Sequence, residues 1–214
     1  MNPNSIIRLS ELGVATVYEA SGREGLIDIP LIQIIPNSQV AGPARTALCG
    51  QDDNLMVHAV IEHIQPGEVL VLSMPEPAPV ALVGELLATQ AKVRSAAGIL
   101  VAASVRDVSE LIQLGLPIWS HFIRVRGATK TKVGELNKTM TVGGSDIAPG
   151  DIIVLDADGG VCVKQERIEE VLKASEERLA KENDLRVNLL AGQMSYDLHG
   201  LRDYMERNKN DKSK

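Results

Sequence analysis

The stretch that most constrains the fold runs from Gly84 to Glu110, GELLATQAKVRSAAGILVAASVRDVSE. Gly84 interrupts an apolar segment. After it, Leu86, Leu87, Gln90, Ala91 and Arg94 recur at helical spacing among good helix formers, so a helix is expected to begin near Glu85. Gly98 is expected to end that helix. Ile99 to Ala103 then forms a short, wholly apolar run, as in a strand covered on both faces. A helix feeding such a strand is half of a βαβ unit, which returns the chain to nearly the edge it left. A mixed α/β fold follows, with Glu85 and the pair Arg106-Asp107 brought toward one another across twenty intervening residues.

The types of residue at that edge suggest a chemistry. The unbonded N–H groups of a helix start, here Gly84 to Ala88, favour an anion such as a carboxylate, and glycine lets it approach closely. Arg106 offers a planar fork to a carboxylate, and Asp107 offers oxygen to a hard cation such as Mg2+ or Mn2+. The plainer reading is that Glu85 favours a helix N-terminus and that Arg106-Asp107-x-x-Glu110 is a solvated charge cluster opening the next helix.

Composition narrows the classes of partner. The 214 residues suffice for one sizeable core plus an appendage. Aromatics make up only 2%, so the core rests on Val, Ile, Leu and Ala, and stacking platforms for single-stranded nucleic acid are scarce. A net charge of −6 disfavours tracking along a phosphate backbone, so no nucleic-acid partner is expected. No apolar run approaches the roughly 20 residues of a membrane span, and the start MNPNSIIRLSEL lacks the pattern of a secretory signal, so no membrane partner and a cytoplasmic location are expected. Cys49 and Cys162 lack CxxC spacing and read as buried free thiols.

Along the rest of the chain, Ile6 to Ala20 is helix-compatible, Ile32 to Leu48 is strand-like, and Asp52-Asp53-Asn54 opens a helix from Leu55. Pro66-Gly67-Glu68 before Val69 to Leu72 has a counterpart in Pro149-Gly150-Asp151 before Ile152 to Leu155. Asp156-Ala157-Asp158-Gly159-Gly160 lacks EF-hand spacing and reads as a turn between strands. His58, His63, His121 and His199 form no metal-binding spacing, the lone Trp119 reads as packing, and Lys92, Lys130 and Lys132 lack the apolar surroundings of a Schiff-base lysine. The expected organisation is an α/β domain over residues 1–164, a helical extension over 165–207 and a disordered tail over 208–214.

The segments VATVYEASGREGLI from Val14, DDNLMVH from Asp52, GELLATQAKVRSAAG, SVRD, LGLPIWS, PGDIIVLDADGGVCV and YDLHGLRDYM resemble a known family. It contains the 4-hydroxy-4-methyl-2-oxoglutarate and 4-carboxy-4-hydroxy-2-oxoadipate aldolases and the regulators of ribonuclease E activity. The aldolases carry an acidic residue, usually aspartate, at the position of Glu85, whereas the regulators carry glycine. The resemblance implies a β/β/α swivelling-type fold assembled as a homotrimer or homohexamer, with the C-terminal helix reaching a neighbour. It implies divalent-metal-dependent retro-aldol cleavage of a small anionic 4-hydroxy-2-oxo acid, with oxaloacetate decarboxylation as a second activity. Carried over by position, Arg106, Glu85 and Glu182 are catalytic, with Asp184 the competitor for Glu182. Gly84, Glu85, Leu86, Leu87 and Arg106 bind substrate, and Asp107 holds the metal. The alternative is a noncatalytic regulator that binds a ribonuclease or helicase.

Overall fold

The computed structural model describes residues 3–211. In chain order, two short helices, α1 (Pro3–Leu12) and α2 (Val14–Ala20), precede β1 (Ile32–Gln33), β2 (Val40–Leu48), α3 (Leu55–Glu62) and β3 (Val69–Ser73). Next come β4 (Ala81–Val83), α4 (Glu85–Val93), β5 (Gly98–Val105), α5 (Val108–Leu114) and β6 (Ile118–Ile123). The short strands β7 (Glu135–Leu136), β8 (Met140–Val142) and β9 (Ser145–Ile147) lead to β10 (Ile152–Asp156) and β11 (Gly159–Val163). Helices α6 (Ile168–Leu190), α7 (Ser195–Leu198) and α8 (Leu201–Asp211) follow. None of the described helices is long and apolar enough to cross a membrane.

The fold is the β/β/α arrangement, with a central sheet ordered β1-β6-β5-β3-β2-β10-β11. Strands β2, β3, β5 and β6 run parallel. Their side chains divide by parity. Leu70, Leu72, Ile99, Val101, Ala103 and Val105 pack with Val57 and Ile61 of α3, Ala88 and Ala91 of α4 and Leu111 of α5. Val69, Val71, Leu100 and Ala102 pack on the opposite side with Trp119, Ile153, Leu155 and the β8–β9 hairpin residues Met140, Val142 and Ile147. The all-apolar run in β5 is thus explained by burial on both faces, each Ile, Leu or Val side chain contributing about 1.5–3 kcal/mol by leaving water.

The two Pro-Gly turns feed strands that flank the same neighbour: β3 joins β2 in parallel and β10 joins it in antiparallel. Both glycines adopt left-handed φ, 86° at Gly67 and 89° at Gly150, which accounts for the repeated residue. Trp119 is buried, its indole donating to the Asp156 carbonyl at 2.7 Å.

Two local expectations change. The first helical segment breaks at Gly13, whose φ is 79°, and Asp156 Oδ2 accepts from the next amide, Val14 N, at 2.7 Å. Helix α4 ends at Val93 rather than near Gly98. The left-handed residue after it is Ser95, and Gly98 opens β5, where an added Cβ would lie 3.1 Å from the Pro117 carbonyl oxygen. The compact division of the chain falls inside α6, after Ser175, because the start of that helix buries Ile168, Val171 and Ser175.

The second unit, residues 176–214, comprises the remainder of α6 with α7 and α8. Within it, the Arg202 guanidinium lies 4.8 Å from the centre of the Tyr196 ring and pairs with Asp197. Helix α8 runs to Asp211, so residues 208–211 of the expected disordered tail are helical, while 212–214 lie outside the described residues.

Candidate active site

Strand β4 lies parallel to the last part of β5, with Ala81 opposite Ser104 and Val83 opposite Val105. Parallel strands bring their C-terminal ends to the same edge, where α/β proteins hold ligands. Gly84-Glu85 leaves β4 at that edge and Arg106-Asp107 leaves β5 beside it, with Arg106 N donating to the Val83 carbonyl at 3.1 Å. This adjacency turns the long sequence spacing into a site.

Asp107 precedes α5 in a left-handed conformation, φ 61° and ψ 42°, and makes no side-chain cap to its own helix. Its Oδ2 reaches across to accept from Glu85 N at 3.1 Å. A β-carbon on Gly84 would fall 2.5 Å from that same oxygen and 3.1 Å from Arg106 Nε. A β-carbon on Gly127 would fall 3.0 Å from Arg106 Nη1. Two missing side chains therefore leave room for the Arg106-Asp107 pair. The guanidinium of Arg106 lies 3.6 Å from Asp107 and makes no hydrogen bond among the described residues, so its donors are available to an anion.

In α4 the Glu85 amide is used by Asp107, and the first intrahelical donor is Ala88 N, 3.1 Å from the Gly84 carbonyl. The Leu86 and Leu87 amides between them belong to the unpaired first turn of a helix, whose positive dipole end favours a carboxylate. Both residues line a cleft of about 180 Å³ with Gly84, Arg106 and Asp107. The side chain of Glu85 turns along the helix, where Thr89 Oγ1 donates to its Oε1 at 2.8 Å.

The cleft is also lined by residues that the sequence alone did not assign to the site: Asn54, Gly127, Ala128 and Lys130. Asn54 is buried and its Nδ2 donates to the Leu82 carbonyl at 3.0 Å, which fixes the orientation of the amide and leaves Oδ1 without a partner among the described residues. His58 also lines the cleft. Burial lowers its pKa, and the neighbouring Lys130 charge lowers it further, so its neutral form is favoured. The Pro75 to Pro79 loop does not line the cleft and is tied to Gln51, which accepts from Glu76 N at 3.0 Å.

Glu182 lies on α6 in the second unit, 2.9 Å from Arg178 in an ion pair one helical turn away. Asp184 is exposed on the same helix.

No cluster of three or more metal-ligating side chains occurs among the described residues. Among them Asp107 is the one carboxylate lining the cleft, so the donors fit a hard cation that keeps most of its water, as magnesium does, and do not fit a zinc-type cage.

The architecture is that of a mixed α/β domain whose unpaired helix start, available arginine and carboxylate meet at one strand edge. The chain belongs to the RraA-like family, Aldolase/RraA, which it matches over residues 14–162. A Halalkalibacterium halodurans protein provisionally named 4-hydroxy-4-methyl-2-oxoglutarate aldolase is 31% identical over 171 residues, covering 80% of this chain and 79% of that protein. The crystal structure of Streptomyces coelicolor RraAS2, described as an unusual member of the RNase ES inhibitor RraA family, superposes with TM-score 0.76 at 26% identity, covering 87% of this chain and 97% of that one. The RNA-processing inhibitor RraA from Thermus thermophilis gives TM-score 0.58 at 27% identity, covering 65% and 82%.

Proposed function

We propose that the protein is a divalent-metal-dependent aldolase that cleaves a 4-hydroxy-2-oxo acid to pyruvate and a second oxo acid. The candidate substrates are 4-carboxy-4-hydroxy-2-oxoadipate, which gives pyruvate and oxaloacetate, and 4-hydroxy-4-methyl-2-oxoglutarate, which gives two pyruvates. The observation that carries this reading is the meeting of the Leu86 and Leu87 amides, the Arg106 guanidinium and the Asp107 carboxylate at one cleft.

Breaking the C3–C4 bond leaves an electron pair on C3, which is tolerable only when delocalised onto the C2 oxygen as the pyruvate enolate. Arg106 would stabilise that developing charge and orient the substrate. The Leu86 and Leu87 amides would hold the adjacent carboxylate. Glu85 would take the proton from the C4 hydroxyl as the new carbonyl forms. Mg2+ or Mn2+ held by Asp107 would supply Lewis-acid stabilisation at the same oxygen. Decarboxylation of oxaloacetate also ends in pyruvate enolate, so the same residues would support it without a hydroxyl to deprotonate.

The test is pyruvate release from a panel of 4-hydroxy-2-oxo acids and from oxaloacetate, followed with lactate dehydrogenase before and after EDTA and after magnesium or manganese is restored. Metal-restored release supports the assignment, and none from any acid refutes it. Assembly as a trimer or hexamer belongs to the same reading and is checked by light scattering. A regulatory reading is favoured by the likeness to the two RraA structures, and direct binding to a ribonuclease would support it.

A further inference from the structure

Part of the cleft lining, Asn54, His58 and Lys130, hangs on one carboxylate that does not itself line the cleft. Asp53 is fully buried and accepts four hydrogen bonds, divided between its oxygens. Oδ1 takes the Leu55 amide at 2.8 Å, at the start of α3, the segment that presents Asn54 and His58. Oδ2 takes Thr129 Oγ1 at 2.6 Å, Thr131 N at 2.6 Å and Lys132 N at 3.1 Å, on the loop that presents Lys130. The loop is further joined to this corner by Thr129 N to the Asp52 carbonyl at 3.0 Å and Asn54 N to the Thr129 carbonyl at 2.9 Å.

An exposed lysine on a free loop would sample many positions. Here the residues on both sides of Lys130 are fixed to one oxygen, so its backbone is held while its side chain stays exposed at the cleft. Burial alone would raise the pKa of Asp53. The donors from Thr129, Thr131, Leu55 and Lys132 outweigh it and keep the group an acceptor-only carboxylate.

We infer that Asp53 is a positioning residue for substrate binding: it fixes the Thr129–Lys132 loop against α3 so that the Lys130 ammonium faces the anionic portion of the substrate that Arg106 and the α4 amides leave unmatched. The inference rests on the aldolase reading. The effect of Asp53 passes through Lys130 and falls on binding, so it is separable from a role in folding alone.

The experiment uses the full chain with magnesium and 4-carboxy-4-hydroxy-2-oxoadipate, and compares Thr129→Val in the wild-type and Lys130→Ala backgrounds. Thr129→Val removes one bond to Asp53 at nearly constant size and avoids the folding risk of Asp53→Ala. Amide hydrogen exchange at Thr131 and Lys132 is expected to speed up, reporting a loosened loop. KM is expected to rise roughly fivefold, the worth of one hydrogen bond, with kcat within about twofold of wild type. With Lys130 already removed, Thr129→Val is expected to leave KM unchanged, since residues acting in series do not add. An unchanged KM in the single variant, or an equal rise in both backgrounds, overturns the inference while leaving the aldolase reading intact. A wild-type protein that releases no pyruvate from any 4-hydroxy-2-oxo acid overturns that reading, and the inference with it.

Discussion

Asp107 Oδ2 accepts a hydrogen bond from the Glu85 backbone amide at 3.1 Å, so a residue that precedes one helix caps the first turn of another. Its left-handed backbone, φ 61°, aims the carboxylate across the sheet edge instead of toward its own α5 amides. A non-glycine residue in that region is uncommon, although aspartate tolerates it better than most. The contact locks the end of β5 to the start of α4 and fixes the carboxylate beside the Leu86 and Leu87 amides.

Gly84→Ala is expected to abolish this arrangement. The added methyl would stand 2.5 Å from Asp107 Oδ2, and the backbone of Gly84 is extended, so crowding and not torsional strain is the cause. A displacement of about 1 Å in a catalytic group can cost a hundredfold in rate, and that is the expected scale of loss. Circular dichroism should show a folded protein, and a magnesium titration should show weakened activation.

Asp107→Asn and Glu85→Gln are expected to fail differently. In the first variant the new side-chain amide would retain an acceptor for the Glu85 N–H but lose the anionic charge, so activity should need much more metal and recover in part at high magnesium. Glu85→Gln should keep metal activation and lose aldol cleavage more than oxaloacetate decarboxylation, which has no hydroxyl proton to remove. Equal losses in the two assays would assign Glu85 to positioning instead of proton transfer.

The strand edge that carries the candidate site was legible because it is a matter of topology. An apolar β5, a preceding helix and charges at the strand end suffice to bring Glu85 near Arg106-Asp107, and the paired Pro-Gly turns marked real strands on either side of β2. The rest of the cleft lining was not legible. Lys130 reaches the cleft because Asp53 binds the amides on the far side of a long loop, a tertiary contact with no periodic signature, and the run Asp52-Asp53-Asn54 read only as a helix start. The left-handed end of α4 was also misplaced, since Ser95 adopts it and Gly98 serves close packing against Pro117.

Asp53 should also shape stability in acid. Its folded pKa lies below the ordinary aspartate value of about 3.9, so its contribution is fully present above that value and is lost as pH falls toward the folded one. Asp53→Asn is expected to cost on the order of 1.5–3 kcal/mol at neutral pH, the worth of a hydrogen bond to a charged group. Urea midpoints measured from pH 6 to pH 3 should show the gap to wild type narrowing as the solution becomes more acidic. A gap that stays constant would contradict this.

Cys49 and Cys162 should be inert in the native protein. Burial pushes both thiols up to about 12, helped at Cys162 by the Asp151 charge. A disulfide-exchange reagent at pH 8 is expected to react with neither residue in the folded state and with both in denaturant. Rapid native labelling of either would show that its segment opens.

The last prediction concerns a site shared between subunits, in which Glu182 of one chain serves the cleft of another. Within its own helix Glu182 pairs with Arg178 at 2.9 Å, a partly exposed contact of the kind that contributes about 0–1 kcal/mol. Glu182→Gln should therefore leave the melting temperature nearly unchanged, and any large fall in kcat would report catalysis. Arg106→Ala should also give a folded, inactive protein, with about 2.7–4 kcal/mol of transition-state stabilisation lost, and Arg106→Lys should restore little because a point charge does not replace a planar fork. Coassembly of the two inactive variants places an intact Arg106 beside an intact Glu182 at some interfaces. Activity that neither parent shows would establish the shared site. Verified mixed oligomers without activity, from two inactive parents, would assign both residues to one subunit.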